Sequence, residues 1–192
     1  FWSASSRSWV VTPPGDRLAG TPVWMGFGSD GEVFGALHQV SLGGNLLHLF
    51  QAGTGARRGS PINAGPLDPA RLPGAFFCQP SPDLRRAIVS AGRGRWQVRS
   101  TSGDGAPVEL PHDNTYAPPV WSEDGRLLAV NFGRETRILR WPELAPLRPP
   151  IPDANQNVPL QLRFSPEGAL LLVIGTSGEV AVYPTRGGAV FP

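Results

Sequence analysis

The chain has 192 residues, 40% of them hydrophobic, and carries 24 glycines and 22 prolines. An apolar fraction of that size can offset the entropy of ordering, so Gly and Pro read as punctuation between many short strands rather than as low complexity. Seventeen basic residues, all arginine, against 15 acidic ones leave a net charge of +2, too weak a field to imply nucleic acid. No apolar run approaches the ~18 residues of a membrane span. The one cysteine, Cys78, sits in Ala75-Phe76-Phe77-Cys78, so no internal disulfide can form and a buried, inert thiol is expected.

In chain order, Ser8-Trp9-Val10-Val11-Thr12-Pro13 reads as a strand closed by proline, with a further short strand near Arg17-Leu18-Ala19. A strand then ends at Phe27 and turns through Gly28-Ser29-Asp30-Gly31 into Glu32-Val33-Phe34-Gly35-Ala36. The pattern recurs at Pro80-Ser81-Pro82-Asp83-Leu84, where leucine replaces the turn glycine, at Trp121-Ser122-Glu123-Asp124-Gly125, and at Phe164-Ser165-Pro166-Glu167-Gly168. Successive anchors lie 53, 41 and 43 residues apart, and each turn leads into an aliphatic strand. An acidic-Gly pair tolerates positive φ, so each unit predicts a hairpin. Third strands are predicted at Asn45–Phe50, Arg95–Arg99, Thr136–Trp141 and Glu179–Tyr183, and short outer strands at Pro107–Leu110 and Ala189–Phe191. The long first step falls in the Gly/Pro-rich stretch from Ala52 to Gly74, which reads as an enlarged surface loop and the first suspect for partner binding. Four strands per unit leave no room for a helix.

An aromatic-Ser-Pro-Asp-Gly turn repeated at this period resembles the WD-repeat family, whose third strand closes with Trp-Asp. Here the closing pairs are Trp141-Pro142 and Tyr183-Pro184. His112, nine residues before Trp121, stands where family blades carry a Gly-His pair, and Leu18, Arg71 and Asn155 stand at the other equivalent positions. The resemblance implies an all-β fold, a β-propeller of four-stranded antiparallel blades. A partial blade is expected over residues 1–20 and full blades near 21–70, 71–113, 114–156 and 157–192, together about four blades plus part of a fifth from a larger ring. It also implies a protein-binding scaffold, or a sensor or regulatory part of a larger protein. The chain opens at Phe1 without a basic-then-apolar leader, which favours a cytoplasmic excerpt of something longer.

Lysine is absent, so no Gly-Lys-Ser/Thr phosphate loop exists, and Gly53-Thr54-Gly55 and Gly92-Arg93-Gly94 fall at turns. His38, His48 and His112 lack metal-ligand spacing, and His48, between Leu47 and Leu49, reads as an outward-facing polar residue. No Gly-x-Ser-x-Gly elbow is present; Ser81, Ser122 and Ser165 belong to the repeated turn, as does Glu123-Asp124. No catalytic residue, cofactor or metal is therefore expected, and the partners are expected to be proteins. The candidate partner-binding residues are arginines: Arg57 and Arg58 in the enlarged loop, Arg85 and Arg86 at a strand start, and Arg95 and Arg99 around Trp96. Alternation puts Arg95, Gln97 and Arg99 on one side of their strand and Trp96 and Val98 on the other, so Trp96 is expected between blades rather than stacked on a base. The competing reading is a secreted or periplasmic propeller enzyme or small-molecule binder with its site in the central channel.

Overall fold

The computed structural model describes residues 2–3, 8–9, 21–40, 44–66, 78–92, 95–111, 117–133, 135–152 and 159–186, and every regular element among them is a β-strand. An N-terminal hairpin pairs β1 (Trp2–Ser3) with β2 (Ser8–Trp9). Four larger antiparallel sheets follow, each taking its strands in chain order. The first contains β3 (Thr21–Phe27), β4 (Val33–Val40), β5 (Gly44–Gln51) and β6 (Ile62–Pro66). The second contains β7 (Cys78–Pro80), β8 (Arg86–Gly92), β9 (Arg95–Ser100) and β10 (Val108–Glu109). The third has β11 (Val120–Trp121), β12 (Leu127–Asn131), β13 (Glu135–Arg140) and β14 (Ala145–Pro146), with β15 (Ile151–Pro152) also pairing with β13. The fourth has β16 (Pro159–Phe164), β17 (Leu170–Gly175) and β18 (Val180–Pro184).

The repeated turn explains why each first strand reverses where it does. Ser122 donates its amide to Leu127 O at 3.0 Å and accepts the Gly125 amide at 2.9 Å. Its hydroxyl accepts the Leu127 amide at 2.9 Å and donates to Asp124 Oδ1 at 2.6 Å. Ser81 makes the same set with Arg86, Leu84 and Asp83, and Ser165 repeats its backbone part with Leu170 and Gly168. The turn position has positive φ throughout: 71° at Gly31, 68° at Gly125, 66° at Gly168, and 54° at Leu84, where the side chain carries the cost of the left-handed region.

Strand alternation gives every sheet two faces, and the sheets stack through them. The face toward the next sheet, here the trailing face, carries Leu37, Leu47 and Leu49 in the first sheet; they pack on Cys78, Ala87 and Val89 of the second. Ile88, Trp96 and Val98 then meet Leu128, Val130 and Leu139 of the third. Ala129 and Ile138 in turn meet Leu162, Leu171 and Tyr183 of the fourth. Trp96 is only 4% exposed, buried between two sheets as its alternation required. Where the second and fourth sheets have Ile88 and Leu172, the first has Gly35, because the Trp24 ring lies so close that a Cβ there would approach its Cζ3 to 2.9 Å.

Three expectations change. The stretch from Ala52 is not one enlarged loop: it turns tightly, Arg57 bridges back to Phe50, and Ile62–Pro66 joins β5 as the fourth strand of the sheet. Residues 67–74 of that stretch lie outside the described residues, as do His112 and the outer strand expected at 189–191. His48 does face away from Leu47 and Leu49, but that side of the first sheet is covered too; the residue is 7% exposed beside Phe50 and His38. Finally, Trp141 and Tyr183 do not occupy matching sites. The amides of Ala52, Thr101, Trp141 and Thr185 each donate to the carbonyl of the residue after the turn position, at 2.8–2.9 Å, so Thr185 is the counterpart of Trp141. Tyr183 pairs with Leu171, which is the place of Leu139 opposite Leu128.

Candidate functional site

Because each first strand enters the turn, the second returns and the third runs back, the repeated turns and the third-strand ends lie at one edge of all four sheets. Three cavities among the described residues open on this turn face. One of about 750 Å³ opens between the first and second sheets, lined among others by Arg58, Asp83, Arg85, Arg86, Thr101 and Trp141. A neighbouring one of about 540 Å³ reaches Asn63, Arg99, Ser102 and Asp104. A third of about 1040 Å³ lies between the third and fourth sheets and is lined by Arg126, Arg140, Trp141, Glu167, Thr185 and Arg186 among others. Trp141 thus borders a cavity on either side of the third sheet.

Its ring is held from two directions. The Arg86 guanidinium lies 5.5 Å from the ring centroid of Trp141, and Trp121 meets it edge-on at 5.4 Å. The floor of the first cavity is tied by backbone and hydroxyl bonds: Ser29 donates its amide to Pro82 O at 2.7 Å across two sheets, and Thr101 Oγ1 donates to Leu84 O at 2.8 Å. Charge is mixed, with Asp30, Asp83 and Asp104 set among Arg58, Arg85 and Arg86. Asp83 is committed to its own turn through the Ser81 hydroxyl and the Arg85 amide, as Asp30 is through the Glu32 amide, so their oxygens are partly spent locally.

Of the six arginines singled out by sequence, Arg58, Arg85 and Arg86 come together in one cavity, and Arg99 lines the adjoining one, where Gln97 Oε1 accepts its Nε and Nη2 at 3.2 and 3.1 Å. Arg57 stands apart in the bridge to Phe50, close enough to act on His48. Arg95 begins β9 at the opposite edge of its sheet. Sequence reasoning did not single out Trp141 as lining these cavities, although it had marked it as a strand-closing aromatic; that position, beside a proline and at the turn edge, was the available signal. Burial, with Arg57 and His38 nearby, lowers the His48 pKa, and burial pushes the Cys78 thiol up to about 12, so both are held in their uncharged forms near neutral pH and Cys78 is not poised as a thiolate nucleophile. Among the described residues no three His, Cys, Asp or Glu side chains cluster as metal ligands.

No protein-family model matches the sequence, and no curated protein matches it. Solved structures do. Hsv2 from Kluyveromyces lactis aligns over 98% of this chain and 55% of its own, with a TM-score of 0.65 and 13% identity. Hsv2 from Kluyveromyces marxianus aligns over 98% and 53%, with a TM-score of 0.66 and 11% identity. The β-propeller domain of Cps50 (Swd1) from Myceliophteria thermophila aligns over 85% and 52%, at 0.61 and 11%. The chain spans about half the length of these proteins, and at such identities the likeness is one of fold. Sheet order, the three stacked interfaces and this likeness lead to one conclusion: the chain is an all-β fold whose four antiparallel sheets are arranged as blades of a β-propeller.

Proposed function

We propose that this chain is a non-catalytic binding module of the WD-repeat type, a scaffold or regulatory part that holds a segment of a protein partner on its turn face. The observation that carries the reading is Trp141, a partly buried aromatic that borders cavities on both sides of its sheet, with Arg86 over its ring and Arg58 and Arg85 across the first cavity. An aromatic anchor flanked by arginines on a rigid framework suits protein recognition, since Trp and Arg are the residues most enriched where interfaces concentrate their energy. The mixed charges favour a segment that carries both polar and apolar groups over a polyanion such as nucleic acid.

A photo-crosslinking residue placed at Arg85, at Trp141 and, as a control, at Arg95 tests this in extracts of the cell that makes the protein. The first two positions are expected to capture the same partner segment, a synthetic copy of which competes the capture away. Capture at Arg95 alone, or equal capture at all three, would remove the turn face as the site.

A further inference from the structure

In two of the four sheets the residue that follows the third strand closes its own turn with a hydroxyl. Thr101 Oγ1 donates to the Leu84 carbonyl at 2.8 Å, and Thr185 Oγ1 donates to the Gly168 carbonyl at 2.9 Å. The counterparts are Ala52 in the first sheet and Trp141 in the third; neither has a hydroxyl, and only Trp141 puts a large side chain there. Its ring meets Trp121 and Arg86 and borders a cavity on either side. A repeat that gives up a local hydrogen bond for a partly exposed indole breaks its own folding rule, and such departures concentrate at functional sites. A second departure lies beside it. The residue after the turn position is Arg85 in the second sheet and Arg126 in the third, but Glu32 in the first and Ala169 in the fourth.

With Arg58 and Arg86 in the first cavity and Arg140 and Arg186 in the other, each cavity brings three guanidinium groups to Trp141. Among the described residues, none of the six donates to a carboxylate or is ion-paired. The carboxylates of Asp30, Asp83 and Asp124 each accept from their own turn, which leaves Asp104, Glu143 and Glu167 as the uncommitted acceptors of the two cavities. Donors are thus in excess on both sides of the indole. Resting on the turn face as the binding site, we propose that its ligand is an acidic peptide segment in which an apolar residue lies against Trp141 and is flanked by carboxylates, one held by Arg85 and one by Arg126. A carboxylate matches the planar guanidinium fork, and the apolar residue uses the ring that the repeat rule would have replaced with threonine. The three remaining acidic side chains repel a chain charged at every unit, so the occupant is a peptide with isolated acidic residues and not a nucleic acid.

The test pans a random dodecapeptide library on the protein after subtraction on Trp141→Thr, so that only turn-face binders survive. This variant installs the residue that the second and fourth sheets have at the same place, so it is expected to fold, which circular dichroism checks. Should it not fold, a double variant, Arg85→Gln with Arg126→Gln, changed only at exposed side chains, takes its place in the subtraction. Surviving peptides are expected to carry an acidic residue on each side of an apolar one and to bind Trp141→Thr about thirtyfold more weakly. Arg85→Gln and Arg126→Gln are each expected to weaken binding about fivefold, as is exchange of the matching peptide acid for its amide, and the two changes together add nothing further. Survivors without acidic residues, or survivors whose binding is unchanged in both arginine variants, overturn the acidic assignment and leave the turn face as the site. If the subtraction removes every binder, the turn face itself fails and the proposal fails with it.

Discussion

The turns of the second and third sheets solve one problem with different residues. Both wrap a serine hydroxyl around the returning strand and both brace it with an aspartate, Asp83 or Asp124. At the position that must be left-handed, the third sheet has Gly125 at φ 68° and the second has Leu84 at φ 54°. Glycine has no steric penalty there, whereas an L side chain costs roughly 1–2 kcal/mol. Leu84 offsets that cost by burial: it is 3% exposed in the core between the first and second sheets, and full burial of a leucine is worth about 2–3 kcal/mol. A repeated turn can therefore lose its glycine where the turn residue is also a core residue, but not where it points to solvent.

Substitutions at the two turns sharpen the contrast. The largest effect is expected from Leu84→Ala, which keeps the left-handed strain and loses the packing; chemical denaturation is expected to register a loss of about 3 kcal/mol. Leu84→Gly removes more side chain yet releases the strain, so it is expected to be about 1 kcal/mol less damaging than Leu84→Ala; an equal or greater loss would show that strain at Leu84 is negligible. Gly125→Ala introduces the strain without any packing return, since the nearest atom to a Cβ there is Pro82 Cδ at 3.8 Å, and a loss of about 1 kcal/mol is expected. Ser122→Ala strips the Leu127 amide of its hydroxyl acceptor and is expected to cost about 1 kcal/mol, with Ser81→Ala matching it if the two turns share one mechanism.

The smallest effect concerns pH. Partial burial pushes the Asp124 carboxyl up, but the Ser122 hydroxyl, the Arg126 amide and the Arg126 charge outweigh it and hold the carboxyl below the usual carboxylate range. A lowered folded pKa means that the ionised form is the one the fold prefers. Its contribution is complete above the ordinary aspartate value of ~3.9 and disappears as pH falls through the folded value below it. Wild type and Asp124→Asn are thus expected to differ in stability at pH 7 and to converge as pH falls through the folded value; a difference that persists once the carboxyl is protonated would place the effect in the amide's geometry and not in charge.

Much of the second, third and fourth sheets was legible because short turns leave distinctive chemistry behind. An aromatic, a serine, an acidic residue and a glycine at fixed offsets each satisfy a local hydrogen bond or φ requirement, and the signal survived even when Leu84 replaced glycine. Third strands were legible for a similar reason, as alternating apolar runs of the right length after each turn. Strand β6, Ile62–Pro66, was hidden because Gly65, Pro61 and Pro66 resemble loop punctuation, and only its pairing with β5 makes it a strand. The candidate site was half-legible. Arg58, Arg85 and Arg86 could be named as cations, but their meeting around Trp141 joins the first, second and third sheets, and no local pattern encodes contacts between repeats.

What the amino-acid sequence determined by itself was the repeat: its period, its turn, the order of its strands and the side of β9 from which Trp96 enters the core. These follow from steric and hydrogen-bond rules that act over a few residues. The tertiary structure alone decided which strand faces are covered, so that His48 is buried on a face that alternation had marked as outward and Val180 is exposed where Trp96 is not. It also decided that Thr185, not Tyr183, is the counterpart of Trp141, and that Arg58, Arg85 and Arg86 gather at one edge while Arg57 and Arg95 do not join them. Alternation assigns a residue to a face, but burial of that face depends on whether another sheet is stacked upon it, and that is settled between sheets rather than within one.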